Sequence, residues 1–175
     1  QDVDPYRYLS PEEDTHIFTG SPCMQKERFD RFLLPKYMEA NIPVFCTCRG
    51  MQSMYVTLGG KLNQHMSHET NPSHDGGKLV HGITFENQHI IPGFAEITQH
   101  KPGEYKINSR HHQTVNEETK SEIVTILARH DKDNEIEFAT TYPFYPCHLS
   151  QHHVEDTSDP ATVFLIKHLL TLNDE

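Results

Sequence analysis

The most constraining feature of the sequence is a short apolar run that stops at a cysteine and changes directly into a helical pattern. The run spans residues 43–48, and its β-branched and aromatic residues are typical of a buried strand. Apolar residues then recur at three- and four-residue spacing until Gly59 and Gly60, which predicts a helix that ends there. The two patterns place Cys48 at the turn between a strand and a helix.

A thiol at a strand-to-helix turn lies at the N-terminal end of the helix. The positive end of the helix dipole and the backbone N–H groups of the first turn favour the thiolate form there. The same N–H groups can donate hydrogen bonds to an oxyanion that develops during attack on a carbonyl. Cys48 is therefore a candidate nucleophile, although a cysteine at the end of an apolar strand can also be a small buried hydrophobe.

Composition and charge limit the expected partners of the chain. The 175 residues carry a formal charge of −10 with neutral histidines, and the lysines and arginines are scattered along the sequence. Nucleic acid is therefore not expected as a partner. No apolar run approaches the ~20 residues that cross a bilayer, and no signal-peptide pattern opens the chain. We expect a cytoplasmic protein with no membrane partner.

The four cysteines and the many histidines match neither a disulfide framework nor a zinc motif. Cys46 and Cys48 are too close along one strand for an easy bridge, so reduced thiols are expected. Histidines between residues 65 and 81, and those that follow Cys147, offer candidate metal ligands. No Cys-x-x-Cys pair or His-Glu-x-x-His helix accompanies them, so we expect no metal and no cofactor.

Strand and helix patterns alternate along the sequence, which predicts an α/β fold in one domain over residues 1–175. A helix is expected over residues 27–40, with an interruption at Pro35. A last helix is expected over residues 161–172, with Asp159 as its N-cap. Short strands are expected over residues 79–85, 104–107, 123–129 and 135–139. Loops are expected in the polar, turn-rich ranges 1–22 and 65–77.

Four motifs, in order, resemble those of one protein family. Residues 48–52 (Cys-Arg-Gly-Met-Gln) look like the nucleophile motif of class I glutamine amidotransferase-like proteins. The resemblance is to the γ-glutamyl hydrolase branch, which includes the γ-glutamyl-γ-aminobutyrate hydrolases. Residues 2–8 are similar to an acidic, proline-containing loop of that branch, and residues 107–113 are similar to its Asn-Ser-x-His-His-Gln motif. Residues 151–155 occupy the place of its Gln-x-His-Pro-Glu motif.

The resemblance implies a three-layer, flavodoxin-like α/β fold and a catalytic triad of Cys48, His153 and Glu155. The thiolate attacks a γ-carbonyl, the imidazole moves the proton and the carboxylate orients the imidazole. His152 is a rival for the base, because only one of two consecutive strand residues can face the nucleophile. We choose His153 because its spacing to Glu155 matches that of the family.

The resemblance also implies the groups that surround the reacting carbonyl. The backbone N–H of Arg49 follows the nucleophile at the helix start and is the natural oxyanion donor. His111 and His112 are expected in the wall of the substrate pocket rather than on a mere turn. The full set of expected substrate-binding residues is Gln52, Ser109, Arg110, His111, His112 and Gln113.

The sequence departs from the family pattern at two positions and at its start. Cys46 stands where the family usually has glycine, which is expected to strain or reshape the turn, and Val154 stands where it usually has proline. Relatives carry additional first strands and a glycine pair that supplies a second oxyanion donor. This sequence begins just after that point, so the resemblance implies a fold that lacks its first strands or receives them from elsewhere.

The function that the resemblance implies is hydrolysis of a γ-glutamyl amide, either glutamine or a γ-glutamyl amine, through a γ-glutamyl thioester on Cys48. Two other functions stay open. In one, the chain is a glutaminase module that supplies ammonia to a partner synthetase. In the other, it is a catalytically silent binding or assembly subunit. A synthetase partner and a homo-oligomer both remain open, and the leaving group of the amide is not encoded in the motifs.

Overall fold

A computed structural model of the chain describes residues 2–10, 12, 21–64, 81–156 and 159–172. The helices in these ranges are α1 (Met24–Glu39), α2 (Arg49–Thr57), α3 (Phe94–Ile97) and α4 (Pro160–Thr171). The strands are β1 (Val44–Thr47), β2 (Leu62–Asn63), β3 (His81–Phe85), β4 (Tyr105–Ile107), β5 (Thr114–Val115), β6 (Thr125–His130), β7 (Ile136–Thr140) and β8 (Cys147–Ser150).

Six strands form a mixed sheet in the order β1-β8-β7-β6-β3-β4. β1 and β8 are parallel, while the other neighbours in this sheet are antiparallel. β2 and β5 form a separate antiparallel pair. The strand expected over residues 43–48 is β1, and the four strands expected further along are present within two residues at their described ends. β2, β5 and β8 were not predicted. The loop expected over residues 65–77 lies outside the described residues.

Helices cover both faces of the mixed sheet, so the fold has three layers. Cys46 of β1 packs in a buried cluster with Leu34 of α1 and Met51 of α2. Its neighbour Phe45 packs against a second buried cluster, on the opposite face, that includes Leu165 of α4. Consecutive strand residues point to opposite faces, which is why the two residues join different clusters. The expected three-layer α/β architecture is confirmed.

The two long helices show one confirmed expectation and one wrong one. Asp159 caps α4, since its carboxylate accepts a hydrogen bond from the backbone N–H of Thr162 at 2.9 Å. Pro35 does not interrupt the first helix, because α1 runs through it from Met24 to Glu39. Leu34 is buried against the core beside it, and this packing offsets the hydrogen bond that a proline cannot donate. Among the described residues, no helix has both the length and the apolarity to cross a bilayer.

Candidate active site

Cys48 lies at the turn between β1 and α2, as the sequence predicts. Its backbone N–H donates to the carbonyl of Ser150 at 2.7 Å, which ties the end of β1 to the end of β8. The residue has φ +46° and ψ −113°, and α2 begins at the next position. A positive φ is costly for a residue with a side chain, and it turns the thiol out of the strand at the start of the helix. Arg49 is the first helical residue, so its N–H has no partner within the helix.

His153 lies beside Cys48 and is held by Glu155. The imidazole Nδ1 is 2.6 Å from Oε1 of Glu155. The backbone of His153 is fixed by both atoms of one amide, since its N–H donates to Asn108 Oδ1 at 2.8 Å and its carbonyl accepts from Asn108 Nδ2 at 2.7 Å. A side-chain hydrogen bond with Cys48, together with that to Glu155, raises the pKa of His153 to about 9 against the opposing effect of burial. The imidazolium form is therefore favoured next to the thiol.

His152, the rival base, is a buried structural residue. Its side chain is fully buried, with Nε2 3.0 Å from Asp159 Oδ2 and Nδ1 2.7 Å from Ser150 Oγ. Burial raises the pKa of Asp159, but hydrogen bonds from His152, Thr162 and Tyr105 outweigh it and lower that pKa to about 2. The two consecutive histidines thus face different surroundings, and the structure brings His153 to Cys48.

A cavity of about 730 Å³ opens over Cys48. Five of the six residues expected to bind substrate line it, while Ser109 is buried outside the lining. Sequence reasoning did not assign Asp2 or Lys26, which also face the cavity. The lining consists of Asp2, Lys26, Thr47, Cys48, Arg49, Gly50, Gln52, Arg110, His111, His112, Gln113 and His153.

The polar residues of the cavity wall are held by specific partners. His112 Nε2 is 3.1 Å from Asp2 Oδ2, so the acidic loop near residue 2 contacts the motif at 107–113. Arg110 forms an ion pair with Asp156 at 2.7 Å. The Gln52 amide donates to the backbone carbonyl of Gln113 at 2.8 Å. With His153 also in the lining, all four sequence motifs contribute to one cavity.

A network of alternating charges anchors the start of α2. The buried carboxylate of Glu27, from α1, lies between the guanidinium groups of Arg7 and Arg49. Arg49 also pairs with Asp30 at 2.5 Å, and Arg7 donates to Ser53 Oγ at 2.7 Å. The Arg49 guanidinium is held in this network, and Arg49 also lines the cavity. Sequence spacing gave no signal for this network, because its members come from three separate elements.

The departures from the family pattern leave the turn intact. Cys46 lies inside β1 opposite Leu149, is 5% exposed and packs in the core. The positive φ falls on Cys48 rather than on Cys46. A Cβ built on Gly50, in α2, would lie 3.7 Å from the Cβ of Cys46 in β1, which is an ordinary contact distance. The Cys46 side chain therefore does not force β1 and α2 apart. Val154 begins a 3₁₀ turn over Val154–Asp156 that carries Glu155 to His153.

The candidate metal ligands among the described residues have other partners, while His65, His68 and His74 lie outside the described residues. His81 lies 2.9 Å from Glu137, and His148 lies 3.0 Å from His168. Cys147 is a free thiol in the core. Within the ranges that the structure describes, no three His, Cys, Asp or Glu side chains are grouped so that they could hold a metal ion.

The chain is similar in sequence to known proteins. The chain is 31% identical over 121 residues to protein NtpR of Enterococcus hirae, covering 67% of this chain and 48% of NtpR. It is 31% identical over 119 residues to YvdE of Lactococcus lactis, named as a glutamine amidotransferase-like protein, covering 65% of this chain and 47% of YvdE. The chain thus spans about half the length of these relatives.

The fold has solved counterparts. A glutamine amidotransferase from Thermotoga maritima superposes with a TM-score of 0.54 over 98% of this chain and 69% of that protein, at 11% sequence identity. At this identity the likeness concerns the fold alone. The sequence model of the Peptidase C26 family matches residues 1–155. The chain therefore belongs to the Peptidase C26 family, which is a class I glutamine amidotransferase-like family.

Proposed function

We propose that the chain hydrolyses a γ-glutamyl amide through a γ-glutamyl thioester on Cys48. The observation that carries the proposal is the hydrogen-bonded series Cys48–His153–Glu155 at the start of α2, with a histidine that favours its cationic form. A thiol beside an imidazolium at a helix N-terminus is the arrangement that activates cysteine for attack on an amide. Family membership supports amide hydrolysis in general, and the γ-glutamyl substrate and the thioester are our proposal.

The proposed reaction uses the described residues in two half-reactions. The Cys48 thiolate attacks the γ-carbonyl, and the resulting oxyanion accepts a hydrogen bond from the Arg49 N–H. Collapse of this intermediate breaks the C–N bond, and His153 gives its proton to the leaving amine. The neutral imidazole then takes a proton from water, whose oxygen attacks the thioester and releases glutamate. Glu155 keeps the ring oriented and stabilises its cation in both steps.

The charges of the cavity wall suit a γ-glutamyl group. This group carries an α-ammonium and an α-carboxylate, so a complementary site needs charges of both signs. The wall contains the Asp2 carboxylate and the cationic side chains Lys26 and Arg110. Its volume of about 730 Å³ exceeds what one glutamyl group fills, which leaves space for a leaving group beyond ammonia.

One observation favours the second candidate, a glutaminase module that supplies a partner synthetase. Lys26, Phe29 and Phe32 lie at three-residue spacing and share one side of α1. Lys26 lines the cavity, while Phe29 and Phe32 are 59% and 66% exposed. An exposed aromatic face that continues from the cavity is a feature of a protein contact. In this reading, glutamine turnover by the isolated chain is slow and rises when the synthetase is added.

The first experiment is covalent trapping with a diazoketone analogue of glutamine, read by mass spectrometry of the intact chain and its peptides. We expect one adduct on Cys48, absent in Cys48→Ser and prevented by glutamine or a γ-glutamyl amine. Cys23→Ser is the matched control, because Cys23 is the cysteine at the start of the other long N-terminal helix. Adducts on Cys23 or Cys46, or none at all, would favour the silent subunit instead.

A further inference from the structure

Three buried glutamines form a hydrogen-bonded chain that ends at the nucleophile. The Gln52 amide nitrogen donates to the Gln113 carbonyl at 2.8 Å and lies 3.3 Å from Oε1 of Gln151. Nε2 of Gln151 in turn lies 3.9 Å from Sγ of Cys48. The exposed fractions of Gln52, Gln113 and Gln151 are 3%, 1% and 0%. Buried amides arranged in series have little freedom to reorient.

The chain fixes which end of the Gln151 amide meets the sulfur. A backbone carbonyl can only accept, so the Gln113 carbonyl requires the NH₂ end of Gln52. The second N–H of that same nitrogen then faces Gln151 and requires the carbonyl end of Gln151 there. The NH₂ end of Gln151 is thereby directed at Cys48. Amide orientation is inferred from such networks, and here an acceptor that cannot donate anchors the network.

We propose that Gln151 is a catalytic residue that donates a hydrogen bond to the Cys48 sulfur whenever that sulfur carries negative charge. The inference rests on the proposed function for its role in turnover, but the contact with the sulfur exists without substrate. The sulfur is charged when Cys48 attacks as a thiolate and again when the thioester is hydrolysed. In that second step the oxygen of water bonds to the carbonyl carbon, the C–S bond breaks, its electron pair returns to sulfur and the proton of water passes to His153.

A donor at sulfur has a specific kinetic signature. It stabilises the leaving thiolate in thioester hydrolysis more than it assists the attack that forms the thioester, because a stabilised thiolate is a weaker nucleophile. Loss of the donor should therefore slow deacylation more than acylation. A residue that merely supports the fold would lower both steps together.

The other charged and titratable groups around the sulfur are kept in all the variants described below. His153 is beside Cys48, and the cavity wall adds Asp2, Lys26, Arg110, His111 and His112. The Arg49 guanidinium is paired with Glu27 and Asp30. Since none of these groups is substituted, a difference between wild type and variant reports the Gln151 amide itself.

The test compares the wild-type chain with Gln151→Met, which keeps the length of the side chain and removes both polar atoms. The rate of Cys48 alkylation by iodoacetamide is followed by mass spectrometry from pH 4 to pH 10. We expect the midpoint of the Gln151→Met profile to move up by about one pH unit, or roughly tenfold slower alkylation on its acid side, as for loss of a charge-assisted hydrogen bond. Gln151→Glu should move it further, because a carboxylate opposes the thiolate.

The control and the second variant keep the test decisive. Gln88 also donates from a side-chain amide to a backbone carbonyl, that of Thr98 at 3.0 Å, but it does not line the cavity. Gln88→Met should leave the alkylation profile unchanged. Gln52→Met releases the Gln151 amide without removing it, so it should move the midpoint in the same direction by a smaller amount. It also serves as the test if Gln151→Met does not fold.

The outcomes separate this inference from the proposed function. A raised midpoint in Gln151→Met, with accumulation of thioester during turnover of a γ-glutamyl amide, supports both. A raised midpoint in a chain that hydrolyses no γ-glutamyl amide supports the inference and overturns the proposed function. An unchanged midpoint in folded Gln151→Met, or in Gln52→Met where the first variant does not fold, overturns the inference whatever the activity.

Discussion

Helices α1 and α2 both have a cysteine as their N-cap residue, yet the two helix starts are built differently. Cys23 has an extended backbone with φ −90° and ψ 102°, and hydrogen bonding to the backbone at Lys26 lowers the pKa of its thiol. Cys48 has φ +46° and contacts His153 and Gln151 at the cavity. Both thiols receive the helix dipole, so the dipole alone does not distinguish a nucleophile. The difference lies in the turn, the base and the cavity.

The largest expected difference in turnover is between variants that each remove one of the two thiols. Cys48→Ala should lower turnover of a γ-glutamyl amide by about 10⁴-fold or more, because the nucleophile is lost. Cys23→Ala should leave turnover unchanged, since Cys23 lines no part of the cavity. Steady-state hydrolysis measured on both variants checks the contrast. Comparable losses in the two would remove the distinction between the helix starts.

The next effect separates the two consecutive histidines behind Cys48. His153→Ala should lower turnover by about 10³-fold or more while the chain stays folded, because the proton carrier is lost. His152→Ala removes a fully buried side chain and its contacts with Asp159 and Ser150, so it should lower the free energy of unfolding by about 2–3 kcal/mol. Turnover well below the melting temperature and urea unfolding are measured on both. Wild-type turnover in His153→Ala would assign the base elsewhere.

A smaller effect is expected from the charge network that joins the two helices. Glu27→Gln leaves the guanidinium groups of Arg7 and Arg49 without the carboxylate between them. Breaking a buried ion pair from one side is strongly destabilising, so the free energy of unfolding should fall by about 3 kcal/mol, with a smaller loss of turnover than for the triad. Glu39→Gln, at the exposed end of α1, is the control. Equal unfolding midpoints in urea for the two variants would contradict the role of the network.

The smallest effect concerns the pH dependence of turnover. Glu155 helps to raise the pKa of His153 to about 9, so turnover that needs the imidazolium should fall as the pH rises through that value. The neutral amide introduced by Glu155→Gln stabilises the cation less than a carboxylate does, and the alkaline limb should move to lower pH by up to about one unit. Asp156→Asn, which alters the partner of Arg110, should keep the limb in place. The measurement is kcat from pH 6 to pH 10.

The sequence predicts the nucleophile turn and most of the larger sheet because periodicity is a local property. Residues 43–48 form a short apolar run and residues 49–58 repeat at helical spacing, so the turn at Cys48 is visible without tertiary information. β8 was not predicted, because it is only four residues long and its buried positions include the polar residues His148 and Ser150, so it does not form an apolar run. The helix interruption predicted at Pro35 was wrong, because helix propensity does not show how the neighbouring residues pack against the core.

The residues of the site could be predicted where a sequence motif contains them. Contacts between segments that are distant in sequence could not be predicted. The resemblance supplied His153 and Glu155, and the structure brings them to Cys48, while their catalytic roles remain predictions. The orientation of the Gln151 amide depends on Gln52 and Gln113, which are 99 and 38 residues away in sequence by their numbering. Which nitrogen faces which oxygen is decided only after these segments pack.

The backbone of Cys48 implies that the folded chain would be more stable with a different residue at this position. A φ of +46° with ψ −113° suits glycine, and a residue with a Cβ holds it at a cost of about 1–3 kcal/mol. Selection for folding alone would therefore replace the thiol, and a copy of the gene freed from its chemistry would drift toward glycine there. The backbone cost of a cysteine at this position is consistent with the proposed role of Cys48 as the nucleophile.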